Sequence, residues 1–137
     1  MKVFVLEDDP NRIETIKNRF GKKANFIFTV NIQEAKEKFN PVNENYDLIM
    51  LDHDLGGQVY VDSKENNTGA EFCRWILKNK FNLPQVIIHS HNIVGAEIME
   101  EYLIKGGHNV LKIPFGNLIN LWDKGLLNFL GTYKYDG

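Results

Sequence analysis

Short apolar runs alternate with segments of helical period along the whole chain. The runs at 2–6, 25–30, 46–51, 84–88 and 109–113 predict five buried strands. Apolar residues that recur every three or four positions after each run predict five helices. Strands that are apolar throughout and alternate with helices are typical of a parallel sheet covered on both faces. The pattern therefore predicts an α/β fold, and 137 residues suit one domain over 1–137.

Capping and turn residues set several boundaries. Asp9 followed by Pro10 predicts the start of the first helix, with Asp9 as N-cap and an end near Gly21. The second helix is expected to end near Pro41, and Gly69 leads into the third after a polar loop over 56–68. The apolar positions that mark the helices are Ile13, Ile16, Phe20; Ile32, Ala35, Phe39; Phe72, Trp75, Ile76; Ala96, Met99, Leu103; and Leu118, Leu121, Trp122, Phe129.

Composition excludes several classes of protein. Sixteen basic and eighteen acidic residues give a net charge of −2, which argues against a broad nucleic-acid surface or an anionic membrane as partner. The lone Cys73 permits no internal disulfide, which suits a reducing compartment. No apolar stretch reaches the length of a membrane span, and the first one ends at Glu7, too early for a signal peptide. We expect a cytoplasmic protein.

Chemistry-bearing side chains concentrate where the predicted strands end. Ligands of open parallel sheets bind at that edge. Carboxylates brought together there repel one another unless a cation lies between them, and such oxygens favour Mg²⁺, or Mn²⁺ when imidazoles are near. We therefore expect a divalent ion at Asp8 and Asp52, with Glu7 acting through water. The residues at this edge are Glu7, Asp8, Asp9, Asp52, His53, Asp54, His89, Ser90, His91, Asn92 and Lys112.

The histidines at this edge have alternative roles. One of His89 and His91 could ligate the metal while the other transfers protons near neutral pH, or each could bond to loop backbone. His53 and Asp54 are candidate binding residues, although His53 could instead pack against a helix and Asp54 could cap the loop. Ser90, with Asn92 beside it, is a candidate to bind a phosphoryl oxygen.

A few other side chains complete the set of candidates. Lys112 is a candidate to neutralise phosphoryl charge. His108 is expected to be structural, and Cys73 lacks a paired base. Tyr60 and Asp62 are the expected contacts of the loop.

Several stretches resemble the receiver domain of response regulators. VFVLEDDPNRIETI (3–16) resembles its opening, YDLIMLDHDL (46–55) places Asp52 at the phospho-accepting aspartate, and TGAEFCRWI (68–76) resembles its third helix. Ser90 and the stretch LKIPF (111–115) match its Ser/Thr and Lys-Pro positions. The resemblance implies a flavodoxin-like (βα)5 three-layer sandwich with strand order 2-1-3-4-5.

The departures from the receiver pattern point to one branch of it. Seventeen positions separate Asp52 from Gly69, about twice the usual number, and Ile113 stands between Lys112 and Pro114. With the added histidines, the chain resembles the cyclic-phosphate-processing receiver family, which implies a metal-dependent phosphoesterase acting on a phosphate-containing small molecule or a nucleotide end. The alternatives are a switch phosphorylated at Asp52 by a partner kinase, and a degenerate receiver that binds a protein partner.

Overall fold

A five-stranded parallel sheet forms the centre of the computed structural model, which describes residues 1–125. The strand order is β2-β1-β3-β4-β5, as the resemblance to receiver domains implied. The strands are β1 (Lys2–Leu6), β2 (Asn25–Thr29), β3 (Leu48–Leu51), β4 (Gln85–Ile88) and β5 (Val110–Lys112). The helices are α1 (Pro10–Phe20), α2 (Ile32–Lys38), α3 (Gly69–Asn79), α4 (Ile93–Lys105) and α5 (Phe115–Asp123).

Alternate strand residues build two separate cores on the two faces of the sheet. Phe4, Leu6, Ile49 and Leu51 face α2, α3 and α4, where they meet an aromatic group that includes Phe72. The intervening positions Val3, Val5, Leu48 and Met50 face α1 and α5, which contribute Phe20 and Trp122 among others. Because both faces are covered, the central strands are apolar except at the first position of β1 (Lys2) and of β4 (Gln85). The predicted core position Phe129 lies outside the described residues.

Each of the first four helices begins with a side-chain cap at the edge of the sheet where the strands end. Asp9 Oδ1 accepts the N–H of Asn11 at 2.8 Å, which confirms its predicted capping role, and Pro10 occupies the first helical turn. Asn31, Thr68 and Asn92 cap α2, α3 and α4 in the same way. The helix N-termini and the polar strand ends therefore meet at one edge, as the sequence analysis expected.

The boundaries differ from the predictions by one to three residues. β3 begins at Leu48 and not at Tyr46, since Tyr46 leaves the strand to hold the backbone N–H of Asn40 with its hydroxyl at 3.0 Å. α2 ends at Lys38, and Phe39 turns its ring into the aromatic core. The stretch 56–68 is a loop of turns and bends, as expected.

Candidate functional site: an acidic cleft at the strand ends

A cleft of about 380 Å³ opens at the carboxyl edge of the sheet. Its walls come from the segments that follow β1, β3 and β4 and from the loop 56–68. It combines five carboxylates with one guanidinium, one imidazole, one serine and one asparagine. The lining residues are Glu7, Asp8, Asp9, Pro10, Arg12, Asp52, Asp54, Gly57, Gln58, Val59, Tyr60, Ser90, His91 and Asn92.

Two carboxylates and one imidazole form a cluster at the base of the cleft, which we call the buried cluster. Glu7, Asp52 and His89 each place one ligand atom within 4.8 Å of the others. Glu7 and His89 are fully buried, and Asp52 is 5 % exposed. His89 Nε2 lies 3.0 Å from Glu7 Oε1, while His89 Nδ1 is buried without a hydrogen-bond partner among residues 1–125.

The two carboxylates of the buried cluster hold protons very differently. Burial raises the pKa of Glu7, but the hydrogen bond and charge of His89 outweigh it, so that this pKa falls to about 2. Burial also raises the pKa of Asp52, and the charge of Glu7 raises it further against the opposing charges of His89 and Arg12. The outcome is a pKa of about 7 for Asp52. Two carboxylates in contact in a low-dielectric site cannot both ionise freely.

Arg12 is a site residue that the sequence analysis did not identify. It lies on the first turn of α1, where its Nη1 donates to Glu7 Oε1 at 3.2 Å and lies 3.9 Å from Asp52 Oδ2. Its guanidinium also packs over the ring of Phe115, 5.2 Å from the centroid. The position three residues after the N-cap Asp9 was an available signal, since that turn faces the strand ends.

Asp8 connects the cleft to the long loop. Its Oδ2 accepts the backbone N–H of Gly57 at 2.6 Å. Burial raises the pKa of Asp8, against the opposing effect of that hydrogen bond. Asp8 lines the cleft but is not one of the three residues of the buried cluster, so its role as a metal ligand stays a prediction.

His53, Asp54 and Asn92 form a network that anchors the loop. The ring of His53 is fully buried, with Nδ1 2.7 Å from Asp54 Oδ1 and Nε2 2.8 Å from Ser63 Oγ. Asp54 also accepts the N–H groups of Tyr60 at 2.6 Å and Val61 at 3.1 Å. The pKa of Asp54 lies below its ordinary value because its hydrogen bonds outweigh the effect of burial; the largest contribution comes from Asn92, followed by His53, Tyr60 and Val61.

The members of this network lie in different surroundings. Asp54 and Asn92 line the cleft, whereas the buried ring of His53 lies beneath Gly95 at the start of α4. A Cβ at position 95 would approach the His53 ring to 2.5 Å, so the glycine gives the imidazole its space. The geometry favours the helix-packing alternative for His53.

Of the residues after β4, Ser90 and His91 reach the cleft and His89 does not. Ser90 Oγ accepts the N–H of Asn92 at 3.0 Å, which leaves its hydroxyl proton available to donate. His91 is exposed, and its ring makes no hydrogen bond with any residue of 1–125.

Lys112 lies apart from the cleft wall. Its Nζ is 3.4 Å from Glu100 Oε1 on α4, and its side chain is 37 % exposed. Cys73 is fully buried, and burial raises the pKa of its thiol, so the expectation that it is not a nucleophile agrees with its surroundings. His108 lies against Gly106 at the other edge of the sheet.

The family model for the cyclic-phosphate processing receiver domain matches residues 1–105. The chain belongs to this family. The match includes every cleft-lining residue, because the last of them is Asn92. No curated protein sequence matches the chain.

Solved structures with the same fold are receiver domains of response regulators. The receiver domain of HemR from Leptospira biflexa is 20 % identical, with a TM-score of 0.68 over 99 % of this chain and 98 % of that chain. The receiver domain of the Francisella response regulator 1452 is 25 % identical, with a TM-score of 0.60 and 95 % of each chain covered. TrrA from Thermotoga maritima, solved in complex with Mg²⁺ and BeF, is 20 % identical, with a TM-score of 0.59 over 94 % and 97 %. These likenesses show the receiver fold.

The donor set of this receiver domain fits a divalent cation. The buried cluster offers two carboxylate oxygens and one imidazole nitrogen within reach of a single ion. A cation between Glu7 and Asp52 would remove the repulsion that raises the pKa of Asp52. Mixed oxygen and nitrogen donors suit Mn²⁺ as well as Mg²⁺.

Within residues 1–125, no helix combines the length and apolar character needed to cross a membrane.

Proposed function

We propose that this receiver domain is a metal-dependent phosphoesterase that acts on a cyclic-phosphate type of ligand. One observation carries the proposal: the cleft is lined by both carboxylates of the buried cluster, a guanidinium, the largely buried Ser90 and the exposed His91. Such a set provides a place for a cation, a donor for phosphoryl oxygens and a group that can move protons near neutral pH.

Glu7, Asp52 and His89 are the residues that would hold the ion, with Asp8 at the cleft wall beside them. A bound divalent ion would supply Lewis acidity toward the phosphoryl group and make water a stronger nucleophile. The protein's part is to hold Glu7 ionised, through His89 and Arg12, and to fix Asp52 by the bond from the backbone N–H of His53 to its Oδ1 at 2.8 Å.

Arg12 and Ser90 are the residues best placed to bind phosphoryl oxygens. Arg12 is 23 % exposed, so part of its guanidinium remains accessible from the cleft. Ser90 can donate its hydroxyl proton while it accepts from Asn92. Donors already fixed in place stabilise the charge that develops on the equatorial oxygens. Arg12 thereby takes the charge-neutralising role that the sequence suggested for Lys112.

His91 is the group that we propose for proton transfer. Hydrolysis of a cyclic phosphodiester forms one P–O bond from water, breaks one ring P–O bond, and places a proton on the departing ester oxygen. An exposed imidazole at the cleft can deliver that proton and recover it from solvent. His89 is fully buried beside Glu7 and does not line the cleft, so its proposed contribution is to the ion and to Glu7, and not to proton transfer.

The test is hydrolysis of a 2′,3′-cyclic nucleotide with Mg²⁺ or Mn²⁺ by the native chain, Asp52→Asn and His91→Ala. We expect Asp52→Asn to abolish turnover and His91→Ala to lower kcat about a hundredfold. Matched controls come from the other edge of the sheet: Asp47→Asn, whose carboxylate holds the N–H of Lys2, and His108→Gln should keep native rates. Absence of turnover by the native chain with either ion would refute the proposal.

A second candidate function is a phospho-accepting switch, and the position of Asp52 favours it. The carboxylate of Asp52 lines the cleft in a fold shared with response-regulator receiver domains. Incubation with a small-molecule phosphodonor and Mg²⁺ would then give an acyl phosphate on Asp52 that hydroxylamine cleaves, and Asp52→Asn would not form it. A partner kinase would be required in that case.

A further inference from the structure

Tyr60 has an unusual backbone conformation at the edge of the cleft. Its φ of 53° lies in the left-handed region, which tyrosine rarely adopts. Within residues 1–125, Lys80 is the other non-glycine residue with positive φ, and it has the ordinary reason of ending α3. Tyr60 ends no helix. Asp54 holds it in place by accepting its N–H at 2.6 Å.

That conformation presents an aromatic ring to solvent beside the charged groups. Tyr60 and Val59 are both 77 % exposed, and both line the cleft. A tyrosine of this exposure in the middle of a loop gives up favourable burial, and the strain of its backbone adds to that cost. Residues held in such conformations cluster at ligand-binding sites.

Tyr60 also lines a second space beside the cleft. A neighbouring groove of about 420 Å³, which we call the side groove, shares Tyr60 and Asn92 with the cleft. Its other walls include the apolar side chains of Val61, Val94 and Ile98. A ligand whose phosphoryl group lies in the cleft would therefore extend its organic part across Tyr60 toward an apolar surface.

We propose that Tyr60 determines substrate specificity by stacking against a nucleobase esterified, through its sugar, to the phosphate in the cleft. This inference rests on the proposed function. Bases stack on aromatic rings regardless of their identity, so the preference would be for nucleotides as a class. The acidic residues Asp8, Asp54 and Asp62 around the cleft and side groove disfavour additional phosphates, so the substrate is a mononucleotide and not a nucleic-acid strand.

The experiment compares a 2′,3′-cyclic nucleotide with glycerol 1,2-cyclic phosphate, which has no base. Tyr60→Phe keeps the ring, whereas Tyr60→Asn keeps the left-handed backbone that asparagine tolerates and removes the ring. We expect Tyr60→Asn to raise KM for the nucleotide about tenfold. The ratio of kcat/KM for the nucleotide to kcat/KM for the glycerol phosphate should therefore fall in Tyr60→Asn and stay at its native value in Tyr60→Phe. The control for truncation of an exposed side chain is Ile104→Ala, since Ile104 is an exposed apolar residue on α4, outside the loop.

An unchanged ratio of the two kcat/KM values in Tyr60→Asn would overturn the inference, whether both values are retained or both fall equally. If the native chain hydrolyses neither substrate, the proposed function fails and binding decides the inference instead. Calorimetry would then compare a nucleoside 2′-monophosphate with inorganic phosphate. Tighter binding of the nucleotide that Tyr60→Asn removes supports the stacking role. Equal affinity of the native chain for both ligands refutes it.

Discussion

Two charged groups near the same edge of the sheet differ in how well their charges are matched. In the buried cluster, Glu7 and Asp52 share one buried space with His89. In the second group, which we call the surface network, Glu71 accepts from Lys36 Nζ at 2.8 Å and from Arg74 Nε at 3.0 Å. The surface network thus pairs one acid with two bases, whereas the buried cluster places two acids together.

The difference appears in the protonation of the two groups. Partial burial raises the pKa of Glu71, but the bonds from Lys36 and Arg74 outweigh it and bring this pKa below its ordinary value. The pKa of Asp52 is raised. A matched network serves the structure, and Arg74 indeed also donates to the carbonyls of Ser63 at 2.6 Å and Glu65 at 3.3 Å in the loop. An unmatched pair at a cleft is the pattern expected of a functional site.

The largest effect should come from Gly69→Ala, which disturbs both groups at once. Gly69 begins α3, the helix of Glu71 and Arg74, directly against the backbone of Asp52. A Cβ there would lie 2.0 Å from Asp52 O and 2.6 Å from Met99 Cε. We expect a loss of about 3 kcal/mol in the free energy of unfolding, measured with urea.

A matched glycine in α5 provides the control for Gly69→Ala. At Gly116 a Cβ would meet nothing within 4 Å, so Gly116→Ala should stabilise the protein by about 0.5–1 kcal/mol through helix propensity. Equal effects of the two substitutions would show that close approach at Gly69 has no energetic weight.

The sequence predicted the fold and the edge of the sheet that carries the site, because both follow from patterns that secondary structure fixes. Continuous apolar runs indicate buried strands, and apolar residues that recur with a period of 3.6 indicate helices, so together they predict a sheet covered by helices on both faces. In a parallel sheet all strand ends share one edge, so Glu7, Asp52 and His91 were expected together.

The orientation of individual side chains could not be predicted, because the strands stop just before them. The alternation of side chains along a continuing strand would place His89 and His91 on one side, yet β4 ends at Ile88, and only His91 lines the cleft. Asp52 and Asp54, which are also two positions apart, both line the cleft. Arg12 and Lys112 have long side chains whose direction depends on tertiary partners, Glu7 for one and Glu100 for the other.

Asp52→Asn should stabilise the metal-free protein, in contrast to ordinary loss of a buried polar group. The substitution removes the repulsion with Glu7 and the cost of a buried charge, while an amide oxygen can still accept the N–H of His53. At pH 8 with a chelator present, we expect a gain of about 2 kcal/mol in the free energy of unfolding. Mn²⁺ should raise the Tm of the native chain and leave that of Asp52→Asn unchanged. A destabilised variant would mean that the two carboxylates are not in conflict.

The smallest effect should come from Glu71→Gln, and it should have the opposite sign. Loss of the bonds to Lys36 and Arg74 is expected to lower the free energy of unfolding by about 0.5–1 kcal/mol at pH 7, since all three side chains are partly exposed to solvent. Because the pKa of Glu71 is lowered in the folded state, the unfolded chain binds more protons as the pH falls below the ordinary value of 4.5. The stabilisation is therefore complete above that value and is lost as the pH falls through the folded-state pKa. Urea denaturation of both chains at pH 7 and pH 3 should show the difference shrinking toward zero, and a difference that persists at pH 3 would show that packing, and not charge, gives Glu71 its weight.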